Sequence, residues 1–140
     1  MKKSFFTVLF LTILLNLRAQ DTKTVVIDGP VKDITYSVVE TPPEFPGGLD
    51  KFADFLSNNI KYPADARKDK KEGKVVVQFV VERDGSVKDL KVIRSVYTSL
   101  DEEALRVLSI CPKWHPGIQN GKAVRCQYVV PISFSLKNRN

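Results

Sequence analysis

The sequence predicts a two-layer α+β fold: a three-stranded antiparallel sheet packed on one face by a helix, preceded by an extra N-terminal helix and a lead-in segment. Three observations carry this. Residues 74–82 alternate, with Val75, Val77, Phe79 and Val81 on one face, and run into Asp84-Gly85, the strongest short hairpin signal. Leu100, Ala104, Val107, Leu108 and Cys111 recur at helical spacing as one continuous stripe. Residues 123–136 alternate again, with Val124, Cys126, Tyr128, Val130, Ile132 and Phe134 on one face and Arg125, Gln127, Val129, Ser133 and Ser135 on the other.

Taken from the start, Met1-Lys2-Lys3 is a basic n-region, and residues 5–15 are apolar apart from Thr7 and Thr12. That is the length of a signal-peptide core, about 7–15 residues, and short of the about 20 that span a membrane. Residues 1–20 therefore read as a cleaved export signal, with an uncleaved anchor or a buried helix as the alternatives. Residues 21–47 form the lead-in segment. Within it, Thr24-Val25-Val26-Ile27 and residues 34–39 are β-branched and suit short strands, and Asp28-Gly29-Pro30 suits a turn. The domain proper is expected over 48–140. It opens with a helix over 49–60, whose stripe is Leu49, Phe52, Ala53, Leu56 and Ile60. Tyr62-Pro63 restarts the chain, and 64–69 suits one or two helical turns.

The returning hairpin strand spans 87–95, with Leu90 and Val92 inward. Ser99-Leu100-Asp101-Glu102 reads as a capping box, its acids and Glu103 complementing the helix N-terminus. Pro112 stops that helix. Trp114 suits a plug under the sheet, His115 lies in a turn, and Asn120-Gly121 marks a tip before the last strand.

Composition bounds the chemistry. With 140 residues, 43% hydrophobic and 27% charged, the chain is an ordinary globular one, not a disordered or multi-span protein. Half of the net charge of +6 comes from Lys2, Lys3 and Arg18, in a stretch without acids. The rest is interspersed with carboxylates, which argues against a nucleic-acid partner. No metal pattern involves Cys111, Cys126 and the lone His115, no loop has phosphate-binding spacing, and no cofactor is expected. An enzyme is not expected either, for want of a base, nucleophile and orienting group together. In an oxidising compartment Cys111 and Cys126 could pair as a disulfide or stay as free thiols, and spacing does not decide between them.

Residues 43–136 resemble the C-terminal domain of TonB, especially the form common in Bacteroidetes-like bacteria. The resemblance rests on Pro43-Glu44-Phe45-Pro46-Gly47-Gly48, Asn59-Ile60-Lys61-Tyr62-Pro63, Gly73-Lys74-Val75, Asp84-Gly85-Ser86-Val87, Leu100-Asp101-Glu102-Glu103-Ala104, Pro112-Lys113-Trp114-His115-Pro116-Gly117 and Val130-Pro131-Ile132-Ser133-Phe134. Asn59-Ile60-Lys61 stands where that family has a glutamine-and-proline run. The resemblance implies a periplasmic module that captures the TonB box, a short peptide of outer-membrane receptors, by adding it as a strand beside the last strand. Carried over, the binding residues are Asn59, Lys61, Tyr62, Pro63 and Arg67, with Val124, Arg125, Gln127 and Val129 as the receiving edge. The resemblance also leaves open an inner-membrane-anchored energy transducer that meets ExbB–ExbD, and the strand edge by itself leaves two further alternatives: it pairs with another copy as a homodimer, or it is covered by residues 24–39. Physics favours the first role independently. An unpaired strand edge is a template for another extended segment, and backbone hydrogen bonds tolerate varied partner sequences.

Overall fold

A computed structural model of the chain describes residues 35–137. The expected signal over 1–20, the strand at 24–27 and the turn at 28–30 lie outside the described residues.

Alternation makes β2 (Gly73–Val81) the most buried strand, with Val75, Val77, Phe79 and Val81 fully enclosed. It pairs antiparallel with β3 (Val87–Arg94) on one side and β5 (Lys122–Phe134) on the other. These are the three antiparallel strands that the sequence predicts. Their hairpin closes as expected: the Asp84 carboxylate accepts hydrogen bonds from the Ser86 N–H and hydroxyl, and Gly85 sits at φ +87°. β3 carries a register shift near Asp89, whose φ is +54°, and such a bulge blunts the outer edge.

Two further strands join these three, one of them unexpected and one within the lead-in segment that suits short strands. Gly117–Gln119 forms β4, a hairpin partner of β5 across Asn120-Gly121, where the sequence suggested only a turn. Of the expected strand at 34–39, the described residues 35–39 form a strand at Thr35–Tyr36, β1, and it runs parallel to β5 opposite Arg125 and Cys126. The sheet thus has five strands, in the order β1-β5-β2-β3 with β4 off that path. Beyond β1 the chain returns along β4, where Thr41 pairs with Ile118 and Glu44 with His115.

The sheet's inner face is covered by α1 (Gly48–Asn59) and α3 (Thr98–Ser109), with the short α2 (Ala64–Lys68) between them in sequence. The α3 stripe falls as its period requires: Leu100, Ala104, Val107 and Leu108 are fully buried, each large side chain contributing about 1.5–3 kcal/mol. The capping box does not form. Tyr97 occupies the cap position, Ser99 lies inside the first turn, and Asp101 reaches back to the Val96 N–H at 3.1 Å and to the Ser95 hydroxyl. The stripe of α1 is only partly buried. Phe52 enters the core, but Leu49 is 75% exposed.

Trp114 is the plug the sequence suggests. Its indole is 4% exposed and meets Phe45, Phe52, Phe79 and Tyr128 with ring centroids 5.2–5.6 Å away. Cys111 and Cys126 are both free, so the disulfide alternative is not realised. The Cys126 side chain is buried beside Gly117, and the Cys111 thiol, just past the end of α3, faces the Val107 carbonyl of that helix. Burial pushes the Cys111 thiol up to about 11, the neighbouring Trp114 pulling it partly back. Among the described residues no helix is long and apolar enough to cross a membrane.

Candidate functional site

β5 borders β2 along residues 126–134, and its opposite side is paired only at Arg125 and Cys126, by β1. Among the described residues no strand lies against that side from Gln127 onward. Pro131, opposite Val76, tells which groups face outward. A proline persists in a sheet only where its missing donor would point away from a neighbour. Backbone groups of alternate residues in a strand point to the same side. Gln127, Val129, Pro131 and Ser133 therefore direct their carbonyls, and all but the proline their N–H groups, to the unpaired side. Four acceptors and three donors in a row form an edge that another extended segment can pair with.

The expected edge is therefore shifted. Val124 pairs with Gly117 of β4, and Arg125 pairs with Thr35. The Arg125 side chain lies on the outer face, its Nε 2.9 Å from Glu82 and its Nη2 3.5 Å from Asp89. Gln127 and Val129 do lie on the open stretch, and Val129 is 45% exposed.

Alongside that stretch runs a groove of about 760 Å³. One wall is β5 and the chain after it, from Pro131 to Lys137; the other is α1, through Ala53, Leu56 and Ile60. Tyr62 and Arg67 close one part of the lining. Tyr62 stands edge-on to Phe134, at 5.9 Å and 87°, and donates its hydroxyl hydrogen to the Lys71 carbonyl. Burial and the nearby Glu72 raise its phenol above the ordinary value, with Arg67 opposing them. The Arg67 guanidinium lies 5.2 Å from the Tyr62 ring centre. The lining carries two cations, Arg67 and Lys137, and no carboxylate.

Of the residues singled out by sequence, the structure gathers Tyr62 and Arg67 at the groove and holds Asn59 and Lys61 behind it. Asn59 donates from its side chain to the Phe55 carbonyl, and its own carbonyl accepts from Arg106 at 2.7 Å. The Lys61 N–H donates to Glu103 at 2.8 Å. Pro63 precedes α2 as its cap residue, and its carbonyl accepts the Arg67 N–H. Glu103, which reads as one more acid at a helix start, is instead 8% exposed and salt-bridged to Arg106 at 2.6 Å. Its other partner, the Lys61 N–H, lies 42 residues away, and nothing in the local sequence marks that contact.

Residues 58–136 match the model of the Gram-negative bacterial TonB protein C-terminal family. Protein TonB of Helicobacter pylori is 32% identical over 90 residues, which cover 64% of this chain and 30% of that protein. The chain thus spans less than a third of that relative's length. An NMR solution structure of the Helicobacter pylori TonB C-terminal domain is 29% identical, with a TM-score of 0.49 over 66% of this chain and 88% of that one. That of Pseudomonas aeruginosa is 28% identical, with a TM-score of 0.47 over 57% of this chain and 81% of that one. With more than half of its residues aligned to the family model, this chain belongs to the TonB C-terminal family.

Proposed function

We propose that the chain is a periplasmic TonB-like binding module that supports TonB-dependent transport by capturing the TonB box of outer-membrane receptors as an added strand. Proteins of its family are energy transducers and binding modules, not enzymes. The observation that carries the reading is the unpaired outward side of β5 from Gln127 to Ser133, flanked by the groove that holds Tyr62 and Arg67. An added strand there makes backbone hydrogen bonds in register, and pull along the strand loads them together in shear. Coupling to ExbB–ExbD belongs to the anchored alternative and depends on residues outside those described.

Titration of the full chain with a TonB-box peptide, followed by backbone amide shifts, tests this. Capture predicts perturbations concentrated at 127–134. Val129→Pro deletes one outward donor without touching the ladder to β2, and should weaken capture about fivefold while leaving the fold intact. No shift at saturating peptide, together with a dimer in solution, would instead assign the edge to self-association.

A further inference from the structure

Leu49, Ala53, Leu56 and Ile60 fall at i, i+4, i+7 and i+11 of α1, one face of the helix. Ala53, Leu56 and Ile60 line the groove beside β5. Leu49 lines a second hollow of about 380 Å³, floored by Phe52, Trp114 and Tyr128 and rimmed by Pro42 and Pro43. The two hollows therefore share their walls, α1 on one side and β5 on the other. From Leu49 to Ile60 the helix rises about 16–17 Å, the length of about five extended residues. A segment added to β5 lies against this stripe and turns every second side chain toward it.

Resting on the strand-capture reading, we infer that α1 is a specificity wall: it selects extended segments whose alternate side chains are apolar, with a bulky one seated in the hollow between Leu49 and Tyr128. Nearly all of α1 precedes the residues matched to the family model, 58–136. Three features support it. Leu49 is a large apolar side chain left 75% exposed at the head of the stripe, and it lines the hollow floored by Phe52, Trp114 and Tyr128. The wall continues the edge, so an added strand cannot avoid it. The groove's cations, Arg67 and Lys137, do not line the Leu49 hollow, whose lining is mostly apolar, with Glu44 and Thr41 as its polar members.

The test uses the full chain and two acetylated nine-residue peptides. One alternates Thr with Val and ends in Glu; the other has every Val replaced by Ser. Binding is read by calorimetry, and strand addition separately by amide shifts at 127–134. The Val peptide should bind about tenfold more tightly than the Ser peptide. Leu49→Glu and Ala53→Asp, both at exposed positions, should each remove most of that difference while shifts at 127–134 persist at higher peptide concentration. Equal affinity for the two peptides, or a preference unchanged in both variants, overturns the wall and leaves strand capture standing. Absence of shifts at 127–134 with either peptide overturns strand capture and the wall with it.

Discussion

The Glu103 carboxylate accepts the backbone N–H of Lys61 at 2.8 Å, joining α3 to the turn that leads into Tyr62. The same carboxylate takes Nε and Nη2 of Arg106 at 2.8 and 2.6 Å, and Arg106 donates onward to the Asn59 carbonyl. The segment 59–61 is therefore clamped at both ends by one helix, and this sets where Tyr62 and Arg67 meet the groove. Removing the carboxylate leaves a backbone donor and a guanidinium without their partner. Glu103→Ala should cost about 1–3 kcal/mol in denaturant unfolding and broaden the amide signals of 59–62. An unfolding midpoint equal to wild type would show that the clamp is idle.

The clamp also makes stability depend on pH. Burial alone would raise the Glu103 carboxyl, but the Arg106 guanidinium and the Lys61 N–H outweigh it and hold its pKa below the ordinary value. A depressed folded pKa gives stability that is present above the unfolded value, about 4.3, and is lost as pH falls through the folded value. Glu103→Gln has no such proton to take up. Unfolding free energies measured from pH 7 to pH 3 should fall more steeply below about pH 4.5 for the wild type than for that variant. Parallel curves would mean that the carboxylate is no better stabilised in the fold than out of it.

Gly85 and Gly121 both have positive φ, +87° and +73°, yet their surroundings differ. A Cβ at Gly85 would stand 2.0 Å from the Trp114 carbonyl oxygen, whereas at Gly121 nothing lies within 4 Å. Gly121→Ala should therefore cost only the backbone strain, about 1 kcal/mol. Gly85→Ala adds a collision with backbone and forces the β2–β3 turn off Trp114, so the loss should exceed about 3 kcal/mol. Thermal or denaturant unfolding of the two variants side by side distinguishes strain from collision.

What the sequence made readable was whatever repeats along one element. Val75 to Val81, Leu100 to Leu108 and Val124 to Phe134 announce their faces because burial follows a period of 2 or 3.6. Asp84-Gly85 and Trp114 were legible for the same local reasons. The edge was not, because whether a strand has a free side depends on what pairs with it. Two residues, Thr35 and Tyr36, move the opening of β5 past Arg125; their β-branched run suits a strand but does not say which strand it pairs with. Glu103 was hidden because an acid in the first turns of a helix already has an explanation, and only Lys61, distant in sequence, reveals another. Tyr62 and Arg67 came from the family resemblance, whereas the α1 wall required two hollows to be seen sharing it.

The cysteines give a prediction about reactivity. With its pKa at about 11, Cys111 carries roughly one thiolate in a thousand at pH 8, and burial raises the Cys126 thiol as well. The native protein should thus resist iodoacetamide at pH 8, and both thiols should label together once it is unfolded. Mild oxidation of the folded chain should leave two titratable thiols. A mass lower by two hydrogens after oxidation would show that the structure moves enough to join them.

Arg67 offers the most direct electrical test of the groove. Its guanidinium rests against the Tyr62 ring 5.2 Å from the centroid, and Lys137 is the other cation in the lining; the Glu72 carboxylate, which accepts the Leu136 N–H and acts on the Tyr62 phenol, offsets part of their charge. A captured segment with an acidic end facing this pair is attracted; one with a basic end is not. Because Arg67 is exposed, the gain is modest, at most about fivefold in affinity, and salt screens it. Arg67→Glu should weaken an acidic-ended peptide by about that factor, favour a basic-ended one, and leave strand addition at 127–134 in place. Raising ionic strength from about 0.05 to 0.5 M should bring wild type and variant together, since the Debye length shrinks from well over 10 Å to about 4 Å. An effect of Arg67→Glu that is the same at both salt concentrations would assign the residue to packing against Tyr62 instead of to recognition of charge.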